Sequence, residues 1–174
     1  GSAANVIPAS ADCEFCIRAD TMKRIEELID VIKLCVRNAE QLTGAKADIS
    51  WGEISAERYP NRPMCQAFKD NMETLGIEMK WPDPKAQYGS SDIGNVSIKI
   101  PAIHDYLSIT DDKTIQSHSK AYADAAASPQ ADEICLKGAK GLAMTALDIL
   151  EDSKFRDEIN AYHDAQVPER YHEK

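Results

Sequence analysis

Residues 11–51 read ADCEFCIRADTMKRIEELIDVIKLCVRNAEQLTGAKADISW, and their hydrophobic pattern changes twice along the stretch. From about Asp20 to Gly44 the apolar residues recur at helical spacing. Asp20 or Thr21 is a candidate N-terminal cap, and Gly44 is typical of a helix end. Residues 11–18 and 45–51 have the length and composition of short strands. We therefore predict a strand, a long helix and a second strand.

A strand–helix–strand unit of this kind is half of a ferredoxin-like layer. It is followed by a polar segment with two prolines, GEISAERYPNRP (52–63), which we interpret as a linker. A second helix is predicted at about Arg62–Gly76. We accordingly divide the chain into domains 1–55 and 56–174 and predict an α/β (α+β) fold.

The second domain combines predicted strands with a long helix. Apolar and polar residues alternate over residues 95–100, which favours a strand with one buried face, and a further strand is predicted at residues 106–109. The helix should begin at Ser128-Pro129, a capping residue followed by proline, and run to about Leu150. Gly138 and Gly141 have no side chains to cover the backbone of this helix, so we expect another element to pack closely there.

Composition excludes several function classes. The chain has 174 residues, with 29 acidic against 20 basic residues and a net charge of −9. This charge balance provides no basic surface for nucleic acid. No apolar run approaches the roughly 18 residues of a membrane span. The five cysteines are an odd, scattered set, which favours a reduced, cytoplasmic protein: Cys13, Cys16, Cys35, Cys65 and Cys135.

Cys13 and Cys16 form a C-x-x-C pair, for which zinc and redox roles are the first hypotheses. A four-ligand zinc site needs a second pair at similar spacing, and the sequence has none. A redox pair normally opens a helix, whereas this pair lies in a predicted strand. We predict a structural role, with one cysteine in the core and the other outside.

Three residues are candidates for chemistry from their positions alone. Arg18 ends a predicted strand, where an arginine can hold a carboxylate through two parallel hydrogen bonds or can form a surface salt bridge. Asp92 lies in a Gly-Ser-Ser-Asp turn. His118 lies in a polar loop before a helix, where it is either solvated or a ligand. His104 is a candidate partner of an acidic neighbour, Asp105 or Asp92.

Three stretches carry a resemblance to a known family: GSSDIGNVSIKIPAIHDYLSI (89–109), SHSKAYADAAASPQADEICLKGAKGLAMTALDIL (117–150) and AANVIPASADCEFCIRA (3–19). They are similar to the metal-dependent aminoacylase, dipeptidase and carboxypeptidase family. That family includes aminobenzoyl-glutamate hydrolases, β-alanyl-lysine-type dipeptidases and succinyl-diaminopimelate desuccinylase. The resemblance implies an α/β catalytic domain with an inserted ferredoxin-like lid that often dimerises. It also implies that amides or dipeptides with a free carboxylate are the substrates.

The resemblance assigns roles by position. His118 matches a metal-ligand histidine, and the metal would be zinc or another divalent ion. Asn5 and Arg18 match lid residues that hold the substrate carboxylate. The remaining matches form the turn that lines the substrate pocket: Gly89, Ser90, Ser91 and Asp92.

The chain departs from the family pattern in its missing ligands. No H-x-D motif occurs, and Glu26-Glu27, the one E-E pair, lies inside the predicted lid helix rather than after a catalytic strand. A hydrolytic metal site needs at least three protein ligands. We therefore predict a C-terminal fragment of an amidohydrolase that is inactive without the N-terminal half and is a homo-oligomer. The alternative is a non-catalytic oligomerising or ligand-binding module of the same ancestry.

Overall fold

The structure is a computed structural model that describes residues 3–83 and 89–172. Within these ranges the chain forms six α-helices and one 3-10 turn: α1 Met22–Thr43, α2 Arg62–Thr74, α3 Ile93–Ser97, α4 Lys120–Ala126, α5 Pro129–Glu151, α6 Ser153–Gln166, and the turn Glu169–Tyr171. No helix in the described part of the chain is long and apolar enough to cross a bilayer.

The chain divides into two compact units, Gly1–Ile54 and Ser55–Lys174. The division falls one residue before the predicted one, which separated residues 1–55 from 56–174. The roles given to the two domains, lid and catalytic part, stay predictions.

Helix α1 of the first unit has the predicted length and the predicted caps. The hydroxyl of Thr21 accepts a hydrogen bond from the backbone N–H of Arg24 at 3.3 Å. Gly44 adopts a left-handed φ of 72°, and its N–H donates to the carbonyl of Glu40 at 2.9 Å. These contacts satisfy backbone groups at both helix ends that have no partner within the helix. The prediction of this helix is confirmed.

The predicted strands that flank α1 are not formed. In the described ranges the structure contains no β-strand, and its one β-bridge joins Pro60 to Ala102 in the second unit. A strand exists only when a second strand takes up its backbone hydrogen bonds, and residues 11–18 and 45–51 do not pair. The ferredoxin-like lid therefore stays a prediction for this unit.

The second unit is built on the packing of α2, α5 and α6. Phe68 and Met72 of α2 are buried to 3% and 0% exposure. A Cβ atom on Gly141 of α5 would lie 2.4 Å from Sδ of Met72, and one on Gly138 would lie 2.8 Å from Cδ1 of Leu107. The prediction that another element packs closely against these glycines is confirmed.

The long α5 helix begins as predicted, because Ser128 caps it by accepting from the N–H of Ala131 at 3.2 Å. The buried residues of α5 are small, and several of its large apolar residues are exposed. Four leucines of α5 are more than half exposed: Leu136, Leu142, Leu147 and Leu150.

Residues 95–100 were predicted as a strand, and this prediction is wrong. Their first part belongs to helix α3, and the presumed buried face is open, since Val96 is 41% and Ile100 56% exposed. Ser97, on the presumed outer face, is 3% exposed. The strand predicted at residues 106–109 is also not formed. Short alternating patterns fit a strand and a single helical turn equally well, so tertiary contacts decide between them.

Candidate functional site

Side chains of helix α3 form hydrogen bonds to backbone groups of the segment that precedes α2. The amide oxygen Oδ1 of Asn95 accepts from the N–H of Ala56 at 2.6 Å. The hydroxyl of Ser97 accepts from the N–H of Tyr59 at 3.0 Å and donates to the carbonyl of Gly94 at 2.9 Å. Side chains at alternate positions of the sequence therefore serve as hydrogen-bond partners for main-chain groups 38 and 39 residues away.

Gly94 makes this arrangement possible. A Cβ atom at this position would lie 2.0 Å from the carbonyl oxygen of Ala56, which is far inside van der Waals contact. The opposing atom belongs to the backbone and has no rotamer by which to move away. A side chain at residue 94 would thus separate α3 from the segment that holds Arg58.

Arg58 joins the predicted substrate turn to a more distant segment. Its Nη2 donates to the carbonyl of Gly89 at 3.3 Å, and its Nη1 donates to the hydroxyl of Tyr106 at 3.2 Å. The ring of Tyr106 contacts the ring of His104, with centroids 4.9 Å apart. We name these four residues the Arg58 cluster: Arg58, Gly89, His104 and Tyr106.

The other residues of the predicted turn are at the surface. The hydroxyl of Ser91 donates to Oδ1 of Asp92 at 3.3 Å, and Asp92 directly precedes α3. Ser90 and Asp92 are exposed, and Ser91 is half-buried. His104 was a candidate partner of Asp105 or Asp92. The structure places its ring against Tyr106. No salt bridge joins His104 to a described carboxylate, but the charge of His104 opposes the burial that raises the pKa of Asp105.

His118, the predicted metal ligand, lies in an exposed turn directly before α4. Its φ of 64° is left-handed, a conformation that is uncommon for a residue other than glycine. The next residue, Ser119, caps α4 by accepting from the N–H of Tyr122 at 3.1 Å.

The described residues do not by themselves fit a hydrolytic metal centre. Nowhere in residues 3–83 and 89–172 do three or more His, Cys, Asp or Glu side chains come together in a way that could hold a metal ion. A catalytic zinc site takes three protein ligands and one open position. His118 can supply one ligand at most.

Asn5 and Arg18, the predicted carboxylate-binding residues, both lie in the first unit, whereas the other predicted site residues lie in the second. Asn5 occupies a turn in which the N–H of Val6 donates to the carbonyl of Ala3 at 3.3 Å. The side chains of Asn5 and Arg18 are exposed.

Cys13 and Cys16 are both free and exposed, so the prediction that one of them lies in the core is wrong. The buried cysteine is Cys65 on α2. Burial, followed by the charge of the neighbouring Asp105 carboxylate, raises the pKa of Cys65 to about 12. The thiol is therefore protonated at neutral pH, and Cys65 is a poor nucleophile.

Asp105 is a half-buried acid that the sequence named only as a candidate partner of His104. Its carboxylate forms a side-chain hydrogen bond with Cys65, and its Oδ2 atom is buried without a hydrogen-bond partner. Burial raises the pKa of Asp105 above its usual value, against the opposing effect of the Cys65 bond. Asp105 also lines a pocket of about 200 Å³ between α2 and α5, with Phe68, Leu107 and Leu142 among the other lining residues.

Glu57 links the C-terminal end of the described chain to the segment that precedes α2. The hydroxyls of Tyr59 and Tyr171 both donate to its Oε1 atom, at 3.1 and 3.0 Å. Burial, together with the hydrogen bond to Glu57, raises the pKa of each tyrosine to about 12. Both tyrosines thus stay protonated and remain donors across the neutral range.

Comparisons with known proteins add a likeness in sequence. No protein-family model matches the chain. The chain is 37% identical over 152 residues to a mouse (Mus musculus) protein named Xaa-Arg dipeptidase, and the match covers 84% of this chain and 34% of the relative. A human (Homo sapiens) protein of the same name is 35% identical over 149 residues, with the same coverage. The chain spans about a third of the length of these curated relatives. Their name supports the dipeptidase part of the resemblance.

Proposed function

We propose that this chain forms part of a dipeptidase of the amidohydrolase type, which cleaves the amide bond of a small dipeptide or N-acyl amino acid with a free carboxylate. The observation that carries the proposal is the identity of 37% over 152 residues with a relative named Xaa-Arg dipeptidase. The match extends over 84% of this chain and so includes residues of both units.

The residues of the chain take the following roles in this proposal. His118 is one ligand of a divalent metal, zinc or another, whose remaining ligands come from the N-terminal half of the enzyme. Asn5 and Arg18 hold the substrate carboxylate. The turn from Gly89 to Asp92 lines the pocket, and its backbone is held by Arg58. On its own the chain would not turn over substrate, because the described residues assemble no set of three metal ligands.

A chimera tests the proposal. The matching third of the mouse Xaa-Arg dipeptidase is replaced by this chain, and hydrolysis of an Xaa-Arg dipeptide is measured beside the isolated chain. We expect turnover by the chimera and none by the isolated chain. His118→Ala in the chimera should lower metal occupancy, measured by elemental analysis, and abolish turnover. A folded chimera without activity, or amidase turnover by the isolated chain, would contradict the proposal.

Arg18 is tested in the same chimera. Loss of a charge-assisted contact to the substrate carboxylate costs about 1.5–3 kcal/mol, so Arg18→Ala should lower kcat/KM roughly 10- to 150-fold. Arg18→Lys should recover little, because it keeps the charge and loses the planar fork. The parent should prefer a free acid over its carboxamide, and Arg18→Ala should lose this preference. If the preference survives in Arg18→Ala, the role given to Arg18 is wrong.

The second candidate is a non-catalytic oligomerising module, and exposed apolar faces support it. Large apolar side chains stay uncovered in each unit: Leu42 of α1 is 86% exposed and Leu150 of α5 is 71% exposed. Apolar faces of this kind are typical of surfaces that pair with another chain. Light scattering at micromolar concentration should then give a dimer or a larger species. Leu147→Lys together with Leu150→Lys should shift the equilibrium between oligomer and monomer toward monomer, whereas Lys137→Leu should not. A monomeric parent would contradict this candidate.

A further inference from the structure

Among the described residues, Arg58 is held in place by hydrogen bonds to uncharged groups. Its two hydrogen bonds run to the carbonyl of Gly89 and the hydroxyl of Tyr106, and both acceptors are neutral oxygens. Nowhere in residues 3–83 and 89–172 does a carboxylate lie within 4.0 Å of its guanidinium. By contrast, Arg24 of α1 pairs with Glu27 at 2.6 Å. The two neutral acceptors fix the position of the guanidinium and do not neutralise its charge.

The cluster retains donors for one further group. A guanidinium has five N–H donors, and Arg58 uses two of them in these bonds, so three N–H groups have no acceptor among residues 3–83 and 89–172. The planar fork of an arginine matches a carboxylate through two parallel bonds. The hydroxyl of Tyr106 accepts from Arg58, which leaves its own hydrogen free for donation.

The position of these donors is reachable from solvent. Tyr106 is 62% exposed, and Gly89 is exposed. Arg58 is half-buried, so its direction is set by the protein while part of its surface faces water. Asp92, the acid of the adjoining turn, directs Oδ1 to the hydroxyl of Ser91 rather than to Arg58.

We propose that Arg58 and Tyr106 form a binding site for the free carboxylate of a small ligand beside Gly89. The guanidinium binds both carboxylate oxygens, and the Tyr106 hydroxyl donates a third hydrogen bond. The site lies within the second unit and is distinct from the role proposed for Arg18. It rests on the geometry around Arg58 and does not depend on amide hydrolysis.

The test is a titration of the ¹⁵N-labelled chain with N-acetylglycine, followed by two-dimensional NMR. N-acetylglycinamide, which has the same shape without the carboxylate, is the matched probe. We expect saturable shifts at the amides of Gly89 and Tyr106 with the acid, and none with the amide. Arg58→Gln should lower the affinity for N-acetylglycine at least about tenfold, as expected for loss of charge-assisted bonds. The affinity of Arg58→Lys for N-acetylglycine should lie between those of the parent and of Arg58→Gln.

Two further variants separate this site from its alternatives. Lys140→Gln removes an equal charge from an exposed position on α5 and should leave binding unchanged. Tyr106→Phe should lower the affinity for N-acetylglycine by less than Arg58→Gln does, because it removes one neutral donor. Equal binding of acid and amide, full binding by Arg58→Gln, or absence of shifts at Gly89 and Tyr106 would overturn the proposal. Binding lost with Arg18→Gln instead would place the carboxylate at Arg18, and an inactive chimera would leave the Arg58 site intact.

Discussion

Helices α1 and α5 are almost equal in length, with 22 and 23 residues, and both begin at a hydroxyl cap, yet they differ in burial. Helix α1 buries none of its residues, whereas α5 buries Ala131, Gly138, Gly141 and Thr145. Caps and periodicity therefore define where a helix begins and ends, and they do so equally well in both units. Burial depends on whether a partner fits closely, and on α5 the partner fits against glycines rather than leucines.

The largest expected effect comes from Gly94, where the second unit tolerates no Cβ atom. Gly94→Ala should lower the free energy of unfolding of this unit by about 3 kcal/mol, because the new atom overlaps the carbonyl of Ala56. Urea denaturation followed by Trp81 fluorescence, in a Trp51→Phe background, measures this loss. Gly89→Ala is the control, since no atom of residues 3–83 and 89–172 lies within 4 Å of its Cβ position. Equal stability of the two variants would refute the close approach.

Asn61 should give the next largest effect. It is 1% exposed, caps α2 by accepting from the N–H of Met64 at 3.3 Å, and donates to the carbonyl of Ile159 on α6 at 2.9 Å. Asn61→Ala loses both bonds and should destabilise the second unit by about 2–3 kcal/mol. Asn61→Asp keeps the cap acceptor, but it places a buried carboxylate against the carbonyl oxygen of Ile159, so at neutral pH it should be at least as unstable in the same urea assay as Asn61→Ala. Parent-like stability of Asn61→Asp would show that the bond to Ile159 contributes nothing.

Asp105 should make the stability of the second unit depend on pH. Burial raises its folded-state pKa, so its contribution to stability is fully present below its unfolded pKa and is lost as pH rises through the folded pKa. Asp105→Asn removes this loss and should be more stable than the parent at pH 7. The difference should vanish below about pH 4, the unfolded pKa of an aspartate. Denaturation of both proteins between pH 3 and 7 measures this difference, with the exposed Asp157→Asn as control. A pH-independent difference would contradict the assignment.

The smallest effect is expected in the first unit. Thr21→Ala removes the bond to the N–H of Arg24 and should cost about 1 kcal/mol of helix stability. Because α1 has no buried residue, the loss should stay local and appear as faster amide hydrogen exchange in its first turn. Thr21→Ser keeps the acceptor oxygen and should exchange as the parent does. A cooperative loss of the whole helix would show that α1 is better packed than its exposure indicates.

The candidate site shows the same division between local and tertiary information. The Gly-Ser-Ser-Asp turn and His118 were found from residue type and spacing, and the structure places both at the surface. Arg58 was missed because its role depends on Gly89 and Tyr106, which lie 31 and 48 residues further along the chain. Its one local signal was a basic residue in a segment interpreted as a linker. Asp105 was named only as a candidate partner of His104, since its burial and its bond to Cys65 come only from packing.

The sequence by itself determined the helices α1, α2 and α5 and the close approach at Gly138 and Gly141. Capping residues and hydrophobic periodicity act within a few residues, so they can be recognised without a fold. Only the tertiary structure decided that residues 93–97 form a helix and that residues 11–18 and 45–51 stay unpaired. Strand formation needs a partner backbone, and the six alternating residues 95–100 contain no information about whether that partner is present. Instead of a strand partner, the side chains of Asn95 and Ser97 in α3 accept hydrogen bonds from the backbone N–H groups of Ala56 and Tyr59.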